Sequence, residues 1–285
     1  MAGVTGTTAM EVGDQTITLT DRGLAYGDGL FETVLVRDGV PMLWDEHCAR
    51  LSHGAQRLGF EPPSRAWLNT LPEGAPRGEQ VLKIILTRGS GGRGYRPPLP
   101  AEPQCYWQFM PFMPMPDRWE KGISVRLCRL RLARQPVLAG LKHLNRLENV
   151  LARQEWQDDA IAEGILLDDR DQPIEATAMN LAWFDQGQWW TPELTECGVE
   201  GTLRRVLIEQ GLLRISRIED ASLAGFLGSQ GACLFNSVQG LWPIVTCLDS
   251  THQNVSGQWP IDGPVRRFQN SAHALLGYPS NFPTS

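Results

Sequence analysis

The chain predicts a mixed α/β fold in two domains, on three observations: its length, the interleaving of strand and helix patterns, and one proline-rich break. At 285 residues it exceeds the roughly 150 residues of an average domain, so each half is long enough to bury its own core. Strand-like and helix-like segments are mixed throughout, the α/β (α+β mixed) pattern. The segment Met110–Pro116, MPFMPMP, sustains neither a helix nor a central strand, because proline lacks the amide donor and restricts the residue before it. The boundary is therefore placed there, with a smaller domain over 1–112, a linker over 113–120 and a larger domain over 121–285.

Each element has a local cause. Gln15–Leu19 and Phe31–Val36 are apolar and β-branched runs bounded by Gly and Asp, which reads as strands, and Arg37-Asp38-Gly39-Val40 supplies an Asp-Gly hairpin turn. Asp45–Gly59 carries Leu51, Ala55 and Leu58 at helical spacing, with Asp45 as N-cap and Gly59 as stop. Val81–Thr87 and Cys105–Met110 are further strands. Beyond the break, Gly122–Leu130 and Gly164–Leu167 read as strands flanking a helix over Asn145–Gln157. Arg204–Gln210 is a helix, followed by short strands at Ala232–Phe235 and Ile244–Cys247. Trp189 and Trp190 are expected in a core or at a subunit contact, without chemistry.

Composition narrows the function. Apolar residues make up 42% and charged residues 20%, the profile of a folded globular protein. With 26 Lys+Arg against 32 Asp+Glu the net charge is -6, which repels nucleic acid and anionic membrane surfaces. The first residues lack the basic start and apolar core of a secretory signal, and no apolar run reaches the roughly 18 residues of a membrane span. A cytoplasmic protein is expected. Six scattered cysteines form no C-x-x-C pair, so buried reduced thiols are expected and a zinc knuckle is not. His47 and His53 are six apart, on different faces of a helix, so no metal is expected there, and both are read as surface or partly packed.

Gly89-Ser90-Gly91-Gly92-Arg93-Gly94 matches G-x-G-x-x-G after a strand. A dinucleotide site needs a helix immediately afterwards, and Tyr95-Arg96-Pro97-Pro98-Leu99-Pro100 cannot supply one. The glycines instead describe a flexible loop carrying Arg88, Arg93 and Tyr95, suited either to a small anion or to a solvated hairpin tip. No serine-hydrolase, zincin or P-loop motif occurs. Lys142 lies between a strand and a helix. Glu175 follows 33 residues later at a strand end, and Gly198-Val199-Glu200-Gly201-Thr202-Leu203-Arg204 is a glycine turn opening a helix, an anion-binding arrangement.

Taken together, Asp21-Arg22-Gly23-Leu24-Ala25-Tyr26-Gly27-Asp28-Gly29-Leu30-Phe31-Glu32, His47-x-x-Arg50-Leu51, Leu141-Lys142-His143-Leu144-Asn145-Arg146-Leu147-Glu148 and Glu175-x-Thr177-x-x-Asn180-Leu181 resemble the signatures of the fold-type IV pyridoxal-phosphate enzymes. That family holds the branched-chain and D-amino acid aminotransferases and aminodeoxychorismate lyase. Thr87–Tyr95 and Ala139–Arg146 resemble the versions found in the lyase branch.

The resemblance implies a two-domain, D-amino acid aminotransferase-like fold. It also implies a homodimer with its site near the domain interface, and a small-molecule substrate. Lys142 would hold pyridoxal 5'-phosphate as a Schiff base and act as general base. Glu175 would sit against the pyridine nitrogen. Arg50, the amides of Thr202 and Leu203, and the Ser237 hydroxyl would take the phosphate. Asn180 and Asn145 would support the site. Arg93 and Tyr95 would bind a substrate carboxylate. An aliphatic residue usual in the phosphate turn is replaced by Thr202, which leaves a contact made through backbone amides intact. The implied activity is lyase, with an aminotransferase on the same scaffold as the alternative.

Overall fold

The computed structural model describes residues 16–216, 222–251 and 253–284. They fall into two compact units. The first comprises 1–113 with 141–145, the second 114–140 with 146–285.

The first unit is an antiparallel sheet with a helix on one face. Its strands are β1 (Gly29–Arg37), β2 (Val40–Pro41), β3 (Glu79–Thr87) and β4 (Gln104–Pro111), in the order β2-β1-β3-β4. Arg37 pairs with Val40, and both intervening residues have positive φ, Asp38 at 48° and Gly39 at 84°. This is the turn whose twist matches the strands it joins. Alternation along β1 sends Leu30, Val34 and Val36 to the side where Leu82, Ile84 and Leu86 of β3 meet Cys48, Leu51 and Ala55 of α2 (Trp44–Leu58). Gly59 ends α2 at φ 78°, its N–H donating to the carbonyls of Ala55 and Gln56.

Several expectations are corrected here. The N-cap of α2 is Leu43, with no side-chain bond, and Asp45 sits inside the first turn, where its charge favours the helix dipole and pairs with Arg65. Of the expected strand at Gln15–Leu19, Gln15 lies outside the described residues and Thr16–Leu19 form no strand. Instead Thr18 to Asp21 turn into the short helix α1 (Arg22–Tyr26), capped by Asp21. A further short helix, α3 (Arg65–Leu68), is capped by Ser64. The segment 113–120 is not an extended linker, since Pro116 opens the helix α4 (Pro116–Glu120), the one helical position that tolerates a missing N–H. Leu141–Asn145, expected in the larger domain, joins the first unit, because Phe31 N–H donates to Lys142 O and Leu144 N–H to Gly29 O, each at 3.0 Å.

The second unit contains β5 (Ile123–Leu132), β6 (Ile161–Asp168), β7 (Pro173–Ala176), β8 (Asn180–Asp185), β9 (Gln188–Pro192), β10 (Arg214–Ser216), β11 (Gly231–Asn236), β12 (Gly240–Leu248) and β13 (Val255–Gln258). The order is β10-β9-β8-β11-β12-β5-β6-β7, with β13 on β12 and an additional pairing of β7 with β8. That last pairing closes a ring of six strands, β8-β11-β12-β5-β6-β7. Its register is one residue pair, Glu175 opposite Asn180.

The helices of this unit are α4, α5 (Leu147–Arg153), α6 (Thr202–Glu209), α7 (Leu223–Leu227) and α8 (Gly263–Ala274). The helix expected over Asn145–Gln157 is only the seven residues of α5. Arg146 before it has non-helical φ and ψ, and Trp156 after it packs against the space left by Gly164. Trp189 is in the core, stacked on Phe268 at 4.5 Å. All six cysteines are buried and unpaired with one another, and burial pushes their thiols up, so none is a ready nucleophile.

His273 of α8 is buried in a neutral tautomer. Its Nδ1–H donates to Pro279 O at 3.0 Å and its Nε2 accepts from Leu241 N–H at 3.1 Å. Burial lowers its pKa to about 4. The unfolded imidazole takes up a proton near its ordinary value of about 6.5 while the folded one does not, so stability is lost as pH falls below that value. A thermal midpoint that drops between about pH 7 and pH 5 is expected. His273→Gln should melt lower at neutral pH and show a smaller drop.

Candidate active site

In the first unit the chemistry gathers on the two faces of β1. Glu32 follows the core-facing alternation. His47 and Arg50, three apart on α2, share the helix face that meets it. Arg50 binds the carboxylate in a fork, Nε to Oε1 at 2.7 Å and Nη2 to Oε2 at 2.5 Å, and His47 Nδ1 lies 2.6 Å from Oε2. All three residues are buried, which corrects the surface reading of His47; His53 is exposed.

Burial alone would raise the Glu32 carboxyl, but the charges of Arg50 and His47 outweigh it and hold the pKa at about 2. Burial lowers His47, opposed by Glu32 and reinforced by the charges of Arg50 and Lys142. Facing a carboxylate that can only accept, the His47 Nδ1 must carry a hydrogen, so His47 donates to Glu32.

The opposite face of β1 presents Phe31. Lys142 Nζ lies 4.2 Å from the centre of this ring and Lys83 Nζ 3.6 Å from it. Lys83 stands opposite Thr33 in β3. Burial lowers its pKa to about 8, partly offset by the charge of Glu32. Among the described residues no carboxylate pairs with Lys83 directly. Both nitrogens thus lie against one aromatic ring, on a partly desolvated surface. Lys83 was missed in the sequence. Its signal was a single lysine within the apolar strand Val81-Leu82-Lys83-Ile84-Ile85.

In the second unit Glu175 and Asn180 act on one turn. Val199 N–H donates to Glu175 Oε2 at 2.8 Å, and Asn180 Nδ2 donates to Val199 O at 2.9 Å. Gly140 is tied to the same turn, its N–H donating to Gly198 O and its carbonyl accepting from Glu200 N–H. The turn leads into α6, whose N-cap, Gly201, has no side chain to spend on the amides of Thr202 and Leu203. Arg204 behind it is buried, bonded to Thr191 Oγ1 and Pro192 O, and burial lowers its pKa to about 10. Ser237 is buried at the turn between β11 and β12.

The loop residues separate. Arg88 is not presented to a ligand as expected: it is buried, with Nε on Asp28 Oδ2 at 2.8 Å and its Nη atoms on the carbonyls of Gly59 and Leu58. Arg93 is exposed, and Tyr95 is 87% exposed.

These donor sets fit pyridoxal phosphate. An anion needs oriented N–H groups, and a glycine-started helix of eight residues presents them. A Cβ on Gly201 would lie 2.0 Å from Asn180 Oδ1, so the cradle is specific to glycine.

Residues 29–247 match the amino-transferase class IV family. An aminodeoxychorismate lyase from Vibrio harveyi is 31% identical over 260 residues, 90% of this chain and 95% of that protein. The crystal structure of 4-amino-4-deoxychorismate lyase from Pseudomonas aeruginosa superposes with a TM-score of 0.85 at 39% identity, covering 93% of this chain and 97% of that one. A D-alanine aminotransferase from Bacillus licheniformis is 27% identical over 207 residues, 70% of this chain and 71% of that protein.

Gly201→Ala should push Asn180 off the turn and weaken binding of added pyridoxal phosphate by roughly tenfold or more. Absorbance titration of cofactor-free protein measures this.

Proposed function

The chain belongs to the class IV amino-transferase family, and from that membership we propose that it is a pyridoxal-phosphate-dependent lyase converting 4-amino-4-deoxychorismate to 4-aminobenzoate and pyruvate. The observation that carries the reaction type is the span of the likeness: both lyases match nearly the whole chain, at higher identity than the aminotransferase. We further propose a homodimer working in the cytoplasm. No helix among the described residues is long and apolar enough to cross a membrane.

When bound, pyridoxal phosphate supplies an electrophilic aldehyde and a cationic ring that accepts electron density from the reacting carbon. Lys142 would hold the group covalently, and its Nζ would take up the substrate's C4 proton as the enolpyruvyl oxygen departs and the substrate ring becomes aromatic. The Glu175 carboxylate holds a proton on the ring nitrogen. Arg50, its Nε edge fixed on Glu32, would help hold the phosphate. The amides of Thr202 and Leu203 and the Ser237 hydroxyl donate to the same group, and Asn180 keeps the turn in place. The substrate carries two carboxylates; Lys83 on the Phe31 face, and Arg93 with Tyr95, are the groups assigned to them.

Incubation with aminodeoxychorismate should release 4-aminobenzoate and pyruvate in equal amounts. A D-amino acid with 2-oxoglutarate should give no comparable transamination, and the reverse outcome would sink the lyase assignment. Lys142→Ala should lose both the bound-cofactor absorbance and turnover. Lys83→Met should keep the absorbance and raise KM by roughly tenfold or more, since a half-buried charge partner is removed; an unchanged KM would take Lys83 out of the site.

A further inference from the structure

The segment before β1 contains a buried cation that the proposed chemistry does not use. Arg22 opens α1, and its side chain is only 5% exposed. Its Nε donates to Asp28 Oδ2 at 2.9 Å. The other donors turn to backbone carbonyls of the loop between β3 and β4. Nη1 reaches Gly94 O at 2.9 Å, with the carbonyls of Gly91 and Arg96 at 3.5 Å, and Nη2 reaches Tyr95 O at 3.2 Å.

Neighbouring groups reinforce the same attachment. Arg22 N–H donates to Gly89 O at 2.9 Å, and Asp21 Oδ2 accepts from Thr87 Oγ1 at 2.7 Å. The Tyr26 ring, 5.0 Å from the Arg22 guanidinium, lies 5.4 Å from the ring of Tyr95.

Ser90, at the loop's start, is also bonded to the Thr18 and Thr20 hydroxyls and bridged to Asp21; beyond it the loop has little else to hold it. Residues 90–97 are exposed, and Gly89, Gly91, Gly92 and Gly94 all have positive φ, a path that costs backbone entropy to order. At Gly92 a Cβ would lie 2.2 Å from Arg96 O, so the chain doubles back tightly and its carbonyls converge. A planar guanidinium with five donors in fixed directions can span such a set, whereas an ammonium cannot. Asp28, shared by Arg22 and Arg88, offsets part of their charge. Burial would raise its carboxyl, but the hydrogen bonds from Arg88 and Arg22 hold it below its ordinary value.

We propose that Arg22 is a positioning residue for substrate binding: by clasping the carbonyls of residues 91–96 it sets where Arg93 and Tyr95 present their side chains to a substrate carboxylate. The inference rests on the role given to Arg93 under the proposed function. It assigns the Asp21–Asp28 motif the task of shaping that loop.

The test uses the cofactor-loaded enzyme and Arg22→Lys, which keeps the charge and loses the fork. Trypsin reads the loop at the Arg93–Gly94 bond; Arg96 precedes proline and is not cut. The wild-type bond should resist despite the exposure of Arg93, and the variant should be nicked there at least about tenfold faster. The variant should also show unchanged cofactor absorbance, a KM raised about tenfold and a kcat within about twofold.

Equal nicking rates, or a KM that does not move, would overturn the proposal. If the variant fails to fold, wild-type nicking decides: cleavage at Arg93–Gly94 as fast as in urea-unfolded chain overturns the clasp, and resistance supports it. A wild-type enzyme inactive on aminodeoxychorismate would instead defeat the proposed function, leaving the nicking rates to judge the clasp alone.

Discussion

One strand pairing organises the second unit. The six-stranded ring closes where Glu175 faces Asn180, and from those two positions a carboxylate and an amide reach the same residue, Val199, one taking its N–H and the other donating to its carbonyl. A bond from a backbone N–H to a charged carboxylate contributes roughly 1.5–3 kcal/mol, so the turn before α6 is held by the closure itself. The start of that helix, whose N-cap Gly201 makes no side-chain cap bond, is thereby fixed in place. Glu175 is at once a structural latch and the group assigned to the cofactor ring.

The first unit depends on a buried charge pair of a different kind. Arg50 and Glu32 are removed from water and joined by two short bonds, with His47 on the carboxylate as a third partner. Such a pair adds little net stability over apolar packing, but removing one member leaves an uncompensated charge at a cost of about 3–5 kcal/mol. The benefit is direction. With its Nε edge fixed, the guanidinium has one orientation for its remaining donors. Across β1, Phe31 offers its face to the Nζ atoms of Lys83 and Lys142.

Much of this was legible where local chemistry is decisive. Asp38-Gly39 specified its hairpin because few residue pairs accept positive φ twice, and Gly59 marked the end of α2 for a related reason. Lys142 is ordinary by itself; it, Glu175 and the glycine turn stood out only through their combination in chain order and the family resemblance that the combination carries. Reasoning failed where a distant partner decided the outcome. Asp45 reads as a cap, yet the cap is Leu43, two residues earlier. Asn145–Gln157 reads as one helix, yet its start is bent away from helical dihedrals and its end is claimed by Trp156. Arg88 looks like a loop cation, yet carbonyls from the end of α2 hold it inside.

The amino-acid order by itself determined the element types, the turns and the inventory of reactive groups, because each of these follows from dihedral preference, periodicity and side-chain chemistry within a few residues. Only the tertiary structure decided that β7 meets β8 at a single pair, that Leu141–Asn145 runs beside the start of β1, that His47 is buried against Glu32, and that Arg22 reaches carbonyls some 70 positions away. Contacts between residues far apart along the chain depend on packing and loop-closure entropy summed over the whole fold, and no local pattern records that sum.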